Sequence, residues 1–152
     1  MKSLYLDLCT LKRPFDELTS ERVQLEALAV AFLLGSFQRE EVRIVASAIL
    51  ELENSRNPDP LRRDAVGDIL SRFQPAGLTD AALPAQARRM EDLGLRALDA
   101  LHLASAVQAR CDIFVTCDDA VLRLARRLSP EVLGIIATDP LEAVNILKEE
   151  GL

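Results

Sequence analysis

The chain has 152 residues, and at 49% hydrophobic content it is long enough to bury a sizeable core as one unit spanning 1–152. Aromatics make up only 4% and Trp is absent, so that core must be built from Leu, Ala, Val and Ile. A net charge of −6 argues against a broad electrostatic footprint for nucleic acid, but it leaves room for a nuclease whose acidic cluster is cancelled by bound metal.

Taken in order, Leu4 to Leu8 reads as a short apolar strand with Asp7 at its end, followed by a turn containing Pro14. An amphipathic helix is predicted from about Ser20, with Leu25, Leu28, Ala29, Phe32 and Leu33 on one face. Val42 to Ser47 reads as a second strand, and Ile49 to Asn54 as a short helix leaving it. Asp59-Pro60 pairs an N-cap with proline at the first helical position, starting a helix that places Leu61, Ala65, Ile69, Leu70 and Phe73 inward. After a break at Pro75 to Gly77, Thr79 or Asp80 opens another helix, which Gly94 closes. Asp99 begins a helix running to about Ala109, Ile113 to Thr116 is a buried strand, and Ala120 to Leu128 is helical. Val132 to Ala137 is a last strand, and Asp139-Pro140 caps the terminal helix.

Short buried strands alternating with helices predict a three-layer α/β/α domain of Rossmann-like type, with a central parallel sheet of about four to five short strands. Ligands of such sheets sit outside the carboxyl ends of the strands, where the strand order switches. Four acids, Asp7, Glu53, Asp99 and Asp118, fall where strands end or helices begin, so this fold would gather them at one edge. Converging carboxylates repel one another unless a cation relieves them. A hard ion such as Mg²⁺ suits all-oxygen ligands and keeps waters for chemistry, which points to an enzyme acting on phosphate.

Each acid also has a purely structural explanation. Asp99 and Asp118 can be N-caps, a role worth about 1 kcal/mol. Asp139 is read as a cap and nothing more. Asp7 is harder to account for in this way, because no helix is predicted directly after it. Glu51 and Glu53 compete for the second position, since residues two apart on a helix point in different directions. Thr116 can hold Asp118 or a phosphate through its hydroxyl. His102, three residues after Asp99 on the same helix face, can orient an acid, touch substrate, or simply fill space.

Other chemistries find no support. With one histidine and no CxxC pair among Cys9, Cys111 and Cys117, a zinc site is disfavoured. The odd cysteine count fits a reducing cytosol, and all three cysteines read as packing residues; Asp118 beside Cys117 would raise that thiol's pKa. MKSLYLDLCT lacks a secretory apolar region, and the longest apolar run, Ala27 to Leu34, falls far short of the ~18 residues that cross a bilayer. A soluble cytoplasmic protein without membrane association is therefore expected. There is no Gly-rich phosphate loop and no GxSxG elbow. Basic residues are 15 Arg against 3 Lys, a ratio that suits bidentate phosphate contact but equally follows from an Ala- and Arg-rich genome.

Four segments carry a family resemblance. YLDLCTLKRPFD resembles the opening strand of PIN-domain nucleases, the fold of VapC-type toxins, and assigns the first acid to Asp7. SAILELENSRNP resembles the second strand exit and gives Glu53, six residues beyond Ser47. LGLRALDALHLASAV is similar to the family's Gly-x-x-x-x-Asp-Ala helix start and places the third acid at Asp99. FVTCDDAVLRLA resembles the closing Thr-x-Asp segment, giving Asp118, with Asp119 and Glu51 as further possible ligands. The resemblance implies an endoribonuclease that binds one or two Mg²⁺ or Mn²⁺ ions and leaves 5′-phosphate and 3′-hydroxyl ends. It also implies a homodimer, an RNA substrate, and an antitoxin in the active-site groove. Lys12, Arg13, Arg56 and Arg123 lie near the acids in sequence and are candidates for phosphate contact. The alternative is a PIN fold kept as an RNA- or protein-binding module with little turnover.

Overall fold

In the computed structural model of the protein, residues 1–77 and 81–152 are described. The three central strands, Ser3–Leu6 (β1), Arg43–Ala46 (β2) and Ile113–Val115 (β4), are the most apolar short runs of the chain, and β1 and β4 are buried at every position. Strands buried on both faces belong in a parallel sheet covered by helices, and that is how they pair. Gln74–Pro75 (β3) and Ile136–Thr138 (β5) complete a parallel sheet in the order β3-β2-β1-β4-β5. Leu4 pairs with Ile44 on one side and Ile113 on the other. The connections run one way from β1 through β2 to β3 and the other way through β4 to β5. The carboxyl end of β1 is therefore the switch point where a ligand crevice is expected.

Nine helices pack on the sheet among the described residues: Leu8–Lys12 (α1), Glu21–Gln38 (α2), Ala48–Ser55 (α3), Pro60–Arg72 (α4), Leu83–Asp92 (α5), Ala97–Gln108 (α6), Asp119–Arg127 (α7), Pro130–Leu133 (α8) and Pro140–Glu149 (α9). Asp59 and Asp139 cap α4 and α9 as their Asp-Pro pairs predict. After α5, Gly94 takes φ +115°, a left-handed conformation that glycine adopts without a Cβ penalty. The predicted helix opening at Thr79 or Asp80 lies outside the described residues.

Several expectations are corrected. The turn expected after Asp7 is instead α1, followed by a 3₁₀ turn at Arg13–Phe15. Strand β3 was not anticipated, being only two residues long and containing a proline. The segment read as a last strand from Val132 to Ala137 divides: Ser129-Pro130 caps α8, Gly134 ends it at φ +79°, and β5 begins only at Ile136. Helix α6 starts at Ala97, two residues before Asp99.

The buried faces of α2 and α4 also differ from the apolar pattern. Ala29, Leu33, Leu70 and Phe73 are buried as expected, but Leu25, Leu28 and Leu61 are exposed, and Glu26, Val30 and Val66 are buried instead. Glu26 explains the shift on α2. Its carboxylate takes Arg22 at 3.0 Å and Arg13 at 3.5 Å, so a charged residue occupies an inward position. Arg13 and Arg22 keep Asp16 and Asp119 when Glu26 is removed, so the loss is of the buried charge-assisted contacts and packing rather than of all compensation. Glu26→Ala should therefore lower stability by roughly 1–3 kcal/mol, read by denaturant unfolding. Leu50, fully buried on the inner face of α3, should cost about 3 kcal/mol on truncation to Ala. Leu61→Ala, at 83% exposure, should stay within about 0.5 kcal/mol.

One core of buried residues extends from Leu4 to Leu147 and includes all three central strands. Among the described residues no helix is long and apolar enough to cross a membrane.

Candidate metal centre

Helices that follow parallel strands run back across the sheet, so their N-termini gather at its carboxyl edge. Asp7 leaves β1, Ser47 leaves β2, Asp118 lies three residues beyond β4, and Asp99 sits in the first turn of α6, which precedes β4. All four positions therefore lie at one edge.

Asp7 is buried and held from all sides. Its Oδ1 accepts from the Thr10 hydroxyl (2.7 Å), the Thr10 N–H (3.1 Å) and the Cys9 thiol (3.0 Å), while Oδ2 accepts from the Thr116 hydroxyl at 2.5 Å. Burial nonetheless pushes its carboxyl above the ordinary range, against the lowering effect of those bonds. Thr116 is fully buried, and its oxygen also accepts the Asp118 N–H at 3.1 Å. It thus ties two acids together, the first of the two roles its sequence position allowed.

The capping explanation falls differently from expectation. Asp7, for which it looked weakest, is the N-cap of α1. Asp118 caps α7 through Oδ1, which accepts from Ala120 N–H at 2.8 Å and Val121 N–H at 3.2 Å. Asp99 caps nothing: Arg96 holds the cap position of α6, and neither Asp99 oxygen accepts a hydrogen bond among the described residues. Its carboxyl is raised first by burial, then by the negative charges of Asp118 and Asp7. Three carboxylates therefore lie within electrostatic reach of one another, and Asp99 is eased by the fields of His102 and Arg96 rather than by any hydrogen bond among the described residues.

Glu53, not Glu51, faces this cluster. Its Oε2 lies 2.5 Å from His102 Nε2, one turn along α6 from Asp99. Glu51 is exposed and lines a shallow groove with Arg63 and Asp68. His102 is buried, and its Nδ1 meets the Tyr5 hydroxyl at 2.7 Å. Both ring nitrogens are thus engaged within the protein, which places His102 behind Glu53 rather than on a substrate face. Asp119 is turned to Arg22, which grips it with contacts of 2.7 and 3.0 Å and also donates to the Cys117 carbonyl. Arg22 holds the Asp119 carboxyl below its usual range.

Of the basic candidates, Arg13 is committed to Asp16 and Glu26, and Arg62 shares Asp16 with it. Lys12 and Arg56 make no ion pair among the described residues, and Arg56 is exposed. The Cys117 thiol is raised, as expected, but by contact with Cys9 and by burial rather than by Asp118. Sequence reasoning missed Tyr5, Ser47, Thr10, Cys9 and Arg22. The one signal available for Tyr5 was a lone tyrosine two residues before Asp7, since a buried phenol requires a partner.

A sequence model of the PIN domain matches residues 13–127, which is most of the chain. The chain belongs to the PIN-domain family. This PIN domain also resembles two solved structures. Over 91% of this chain and 98% of the other it matches the crystal structure of FitAcB from Neisseria gonorrhoeae, at 19% identity and a TM-score of 0.52. It matches VapBC2 from Rickettsia felis, bound to a DNA fragment from its promoter, over 90% of this chain and 98% of that one, at 16% identity and a TM-score of 0.50. These likenesses concern the fold. No curated protein matches the chain. The matched span begins after Asp7, so that residue's place at the switch point rests on the topology of β1.

Whether the site suits a divalent cation is a question of donors. Asp99 offers two oxygens without partners, and Glu53 Oε1 and Asp118 Oδ2 accept no hydrogen bond among the described residues. These are hard oxygen donors, and the Asp99 carboxyl is raised first by burial and then by the charges of Asp118 and Asp7. Among the described residues no three such side chains close on a single point as they stand. In donor chemistry, though not in closure, the set suits a hard divalent cation such as Mg²⁺ or Mn²⁺.

Proposed function

We propose that this PIN domain is a divalent-metal-dependent endoribonuclease acting as a single unit over residues 1–152, and the toxin of a toxin–antitoxin pair. The observation that carries the reading is Asp99: partly buried, not a helix cap, accepting no hydrogen bond among the described residues, and close to two other carboxylates, Asp118 and Asp7. Such an arrangement costs stability and serves no packing purpose. Family membership supports the nuclease chemistry, and the FitAcB and VapBC2 likenesses suggest the toxin role.

Asp7, Asp99, Asp118 and Glu53 would hold one or two Mg²⁺ or Mn²⁺ ions. A bound ion of this kind supplies a nucleophilic water near neutral pH and positive charge for the departing oxygen. The protein's part is placement. Thr10, Cys9 and Thr116 fix the Asp7 carboxylate, and the α7 N-terminus fixes Asp118 while leaving Oδ2 outward. Of the candidates, Lys12, Arg56 and Arg123 make no ion pair among the described residues and would be the ones to meet phosphate. A homodimer, a cytoplasmic location and an antitoxin seated over the carboxyl edge belong to the same reading.

One observation favours the binding-module alternative: the carboxylates do not yet close as a ligand set. Cleavage decides between the two. Purified protein incubated with RNA and Mg²⁺ or Mn²⁺ should cut internally, stop with EDTA, and lose activity in Asp118→Asn. Equal cleavage by the variant, or none with either metal, refutes the nuclease assignment.

A further inference from the structure

The Glu53–His102 contact is one link of a longer chain. Ser47 Oγ lies 2.6 Å from the Tyr5 hydroxyl, which lies 2.7 Å from His102 Nδ1, and His102 Nε2 meets Glu53 Oε2 at 2.5 Å. Ser47 Oγ also accepts the Leu50 N–H at 3.2 Å, as the N-cap of α3. The chain therefore starts and ends on one helix. Ser47 caps α3, Glu53 lies in its second turn, and the link between them passes through β1 and α6.

Hydrogen-bond inventory assigns the protons. A carboxylate only accepts, so Nε2 carries the hydrogen directed at Glu53. A neutral ring protonated there has a bare Nδ1, which must accept, and the Tyr5 O–H supplies that donor. The phenol oxygen accepts from the Ser47 hydroxyl, whose own oxygen accepts the Leu50 amide. Every donor points toward Glu53, and Tyr5, Ser47 and His102 are all buried. Glu53 differs from Asp7 and Asp118 here: among the described residues no cap or hydroxyl holds its carboxylate, its side chain is 30% exposed, and its glutamate stem has an extra rotatable bond.

We propose that His102 is the positioning residue for Glu53. Its Nε2–H, braced by Tyr5 and Ser47, holds Oε2 and thereby presents Oε1 to the metal. This rests on Glu53 being a metal ligand, as proposed above. Partners of this kind behind a ligating group are worth about 10–100-fold in metal affinity.

The test is calorimetric titration with Mn²⁺ alone on the wild type, His102→Ala, His102→Gln, Glu53→Gln and the His102→Ala/Glu53→Gln double variant, with thermal unfolding run on each. His102→Ala should weaken Mn²⁺ binding roughly tenfold. His102→Gln, whose amide N–H can replace Nε2–H, should recover most of that loss. In the Glu53→Gln background, His102→Ala should weaken binding no further. An undiminished affinity in His102→Ala, or an equal loss in the Glu53→Gln background, overturns the positioning role while leaving Glu53 a ligand. Unchanged affinity in Glu53→Gln overturns the ligand assignment beneath it. Should His102→Ala fail to fold, the unsubstituted protein still answers, because His102 is the sole histidine. Its ¹H–¹⁵N imidazole spectrum should show a hydrogen on Nε2, and a bare Nε2 overturns the proposal.

Discussion

Asp99→Asn is expected to abolish metal-dependent RNA cleavage while raising the melting temperature of the metal-free protein. The two effects have one cause. Asp99 makes no cap and accepts no hydrogen bond among the described residues, so burial and the charges of Asp118 and Asp7 outweigh the favourable fields of His102 and Arg96. Asparagine is nearly isosteric and neutral, so the gain should be about 1 kcal/mol. For a chain of this size that is roughly 2–4 °C. The same change removes a hard oxygen donor and the charge that draws a cation, so cleavage should fall at least about a hundredfold. The sign of the pH dependence follows. A carboxyl whose folded pKa lies above its ordinary 3.8 binds its proton more tightly in the fold, so the favourable contribution is complete below 3.8 and is lost as pH rises through the raised value. Asp99→Asn should flatten that part of the metal-free stability curve. A variant that melts lower than wild type, or cuts RNA as fast, contradicts this account of Asp99.

The second large effect concerns Asp7, where the balance runs the other way. Asp7→Ala should destabilise the metal-free protein by about 3 kcal/mol in denaturant unfolding, from loss of the α1 cap at about 1 kcal/mol plus stranded buried donors at 1–3 kcal/mol. Relief of the buried charge works against this, but four hydrogen bonds already satisfy the carboxylate, so the donors dominate. Asp7→Asn keeps an oxygen toward Thr10 and Cys9 and turns its amide to the Thr116 oxygen, so it should cost under about 1 kcal/mol yet still lack cleavage. An alanine variant as stable as the asparagine one would show that these contacts do not hold the site together. Read together, Asp99 is a cost the fold carries for function, whereas Asp7 serves both structure and function.

What the sequence shows of this molecule follows from where single residues decide the outcome. The buried strands around Leu4, Ile44 and Ile113 were readable because an apolar run too short for a helix, set between helices, has few other uses. The Asp-Pro starts of α4 and α9 were readable because cap and proline act locally. By contrast, α1 is one turn nucleated by the Asp7 side chain itself, and no periodicity announces a five-residue helix. Strand β3 contains a proline and exists only because Ala46 and Val45 offer it an edge. The faces of α2 were misjudged because Glu26 is buried between Arg22, one turn earlier on the same helix, and Arg13 from before it, and the Arg13 contact is a tertiary pairing that no helical wheel contains. At the site the four acids were legible as residue types at strand ends, but their individual circumstances were not. Which one caps, which is unpartnered, and that Glu53 rather than Glu51 meets His102 all depend on side chains brought together from β1, α3 and α6.

The most direct measurement of the central claim is Mn²⁺ binding followed by electron paramagnetic resonance in wild type, Asp99→Asn and Asp118→Asn, with the protein otherwise metal-free. Saturable binding by the wild type that weakens at least tenfold in each variant is the result this account predicts. Superimposable binding curves for all three proteins would mean that these carboxylates crowd the sheet edge for some reason other than a shared cation.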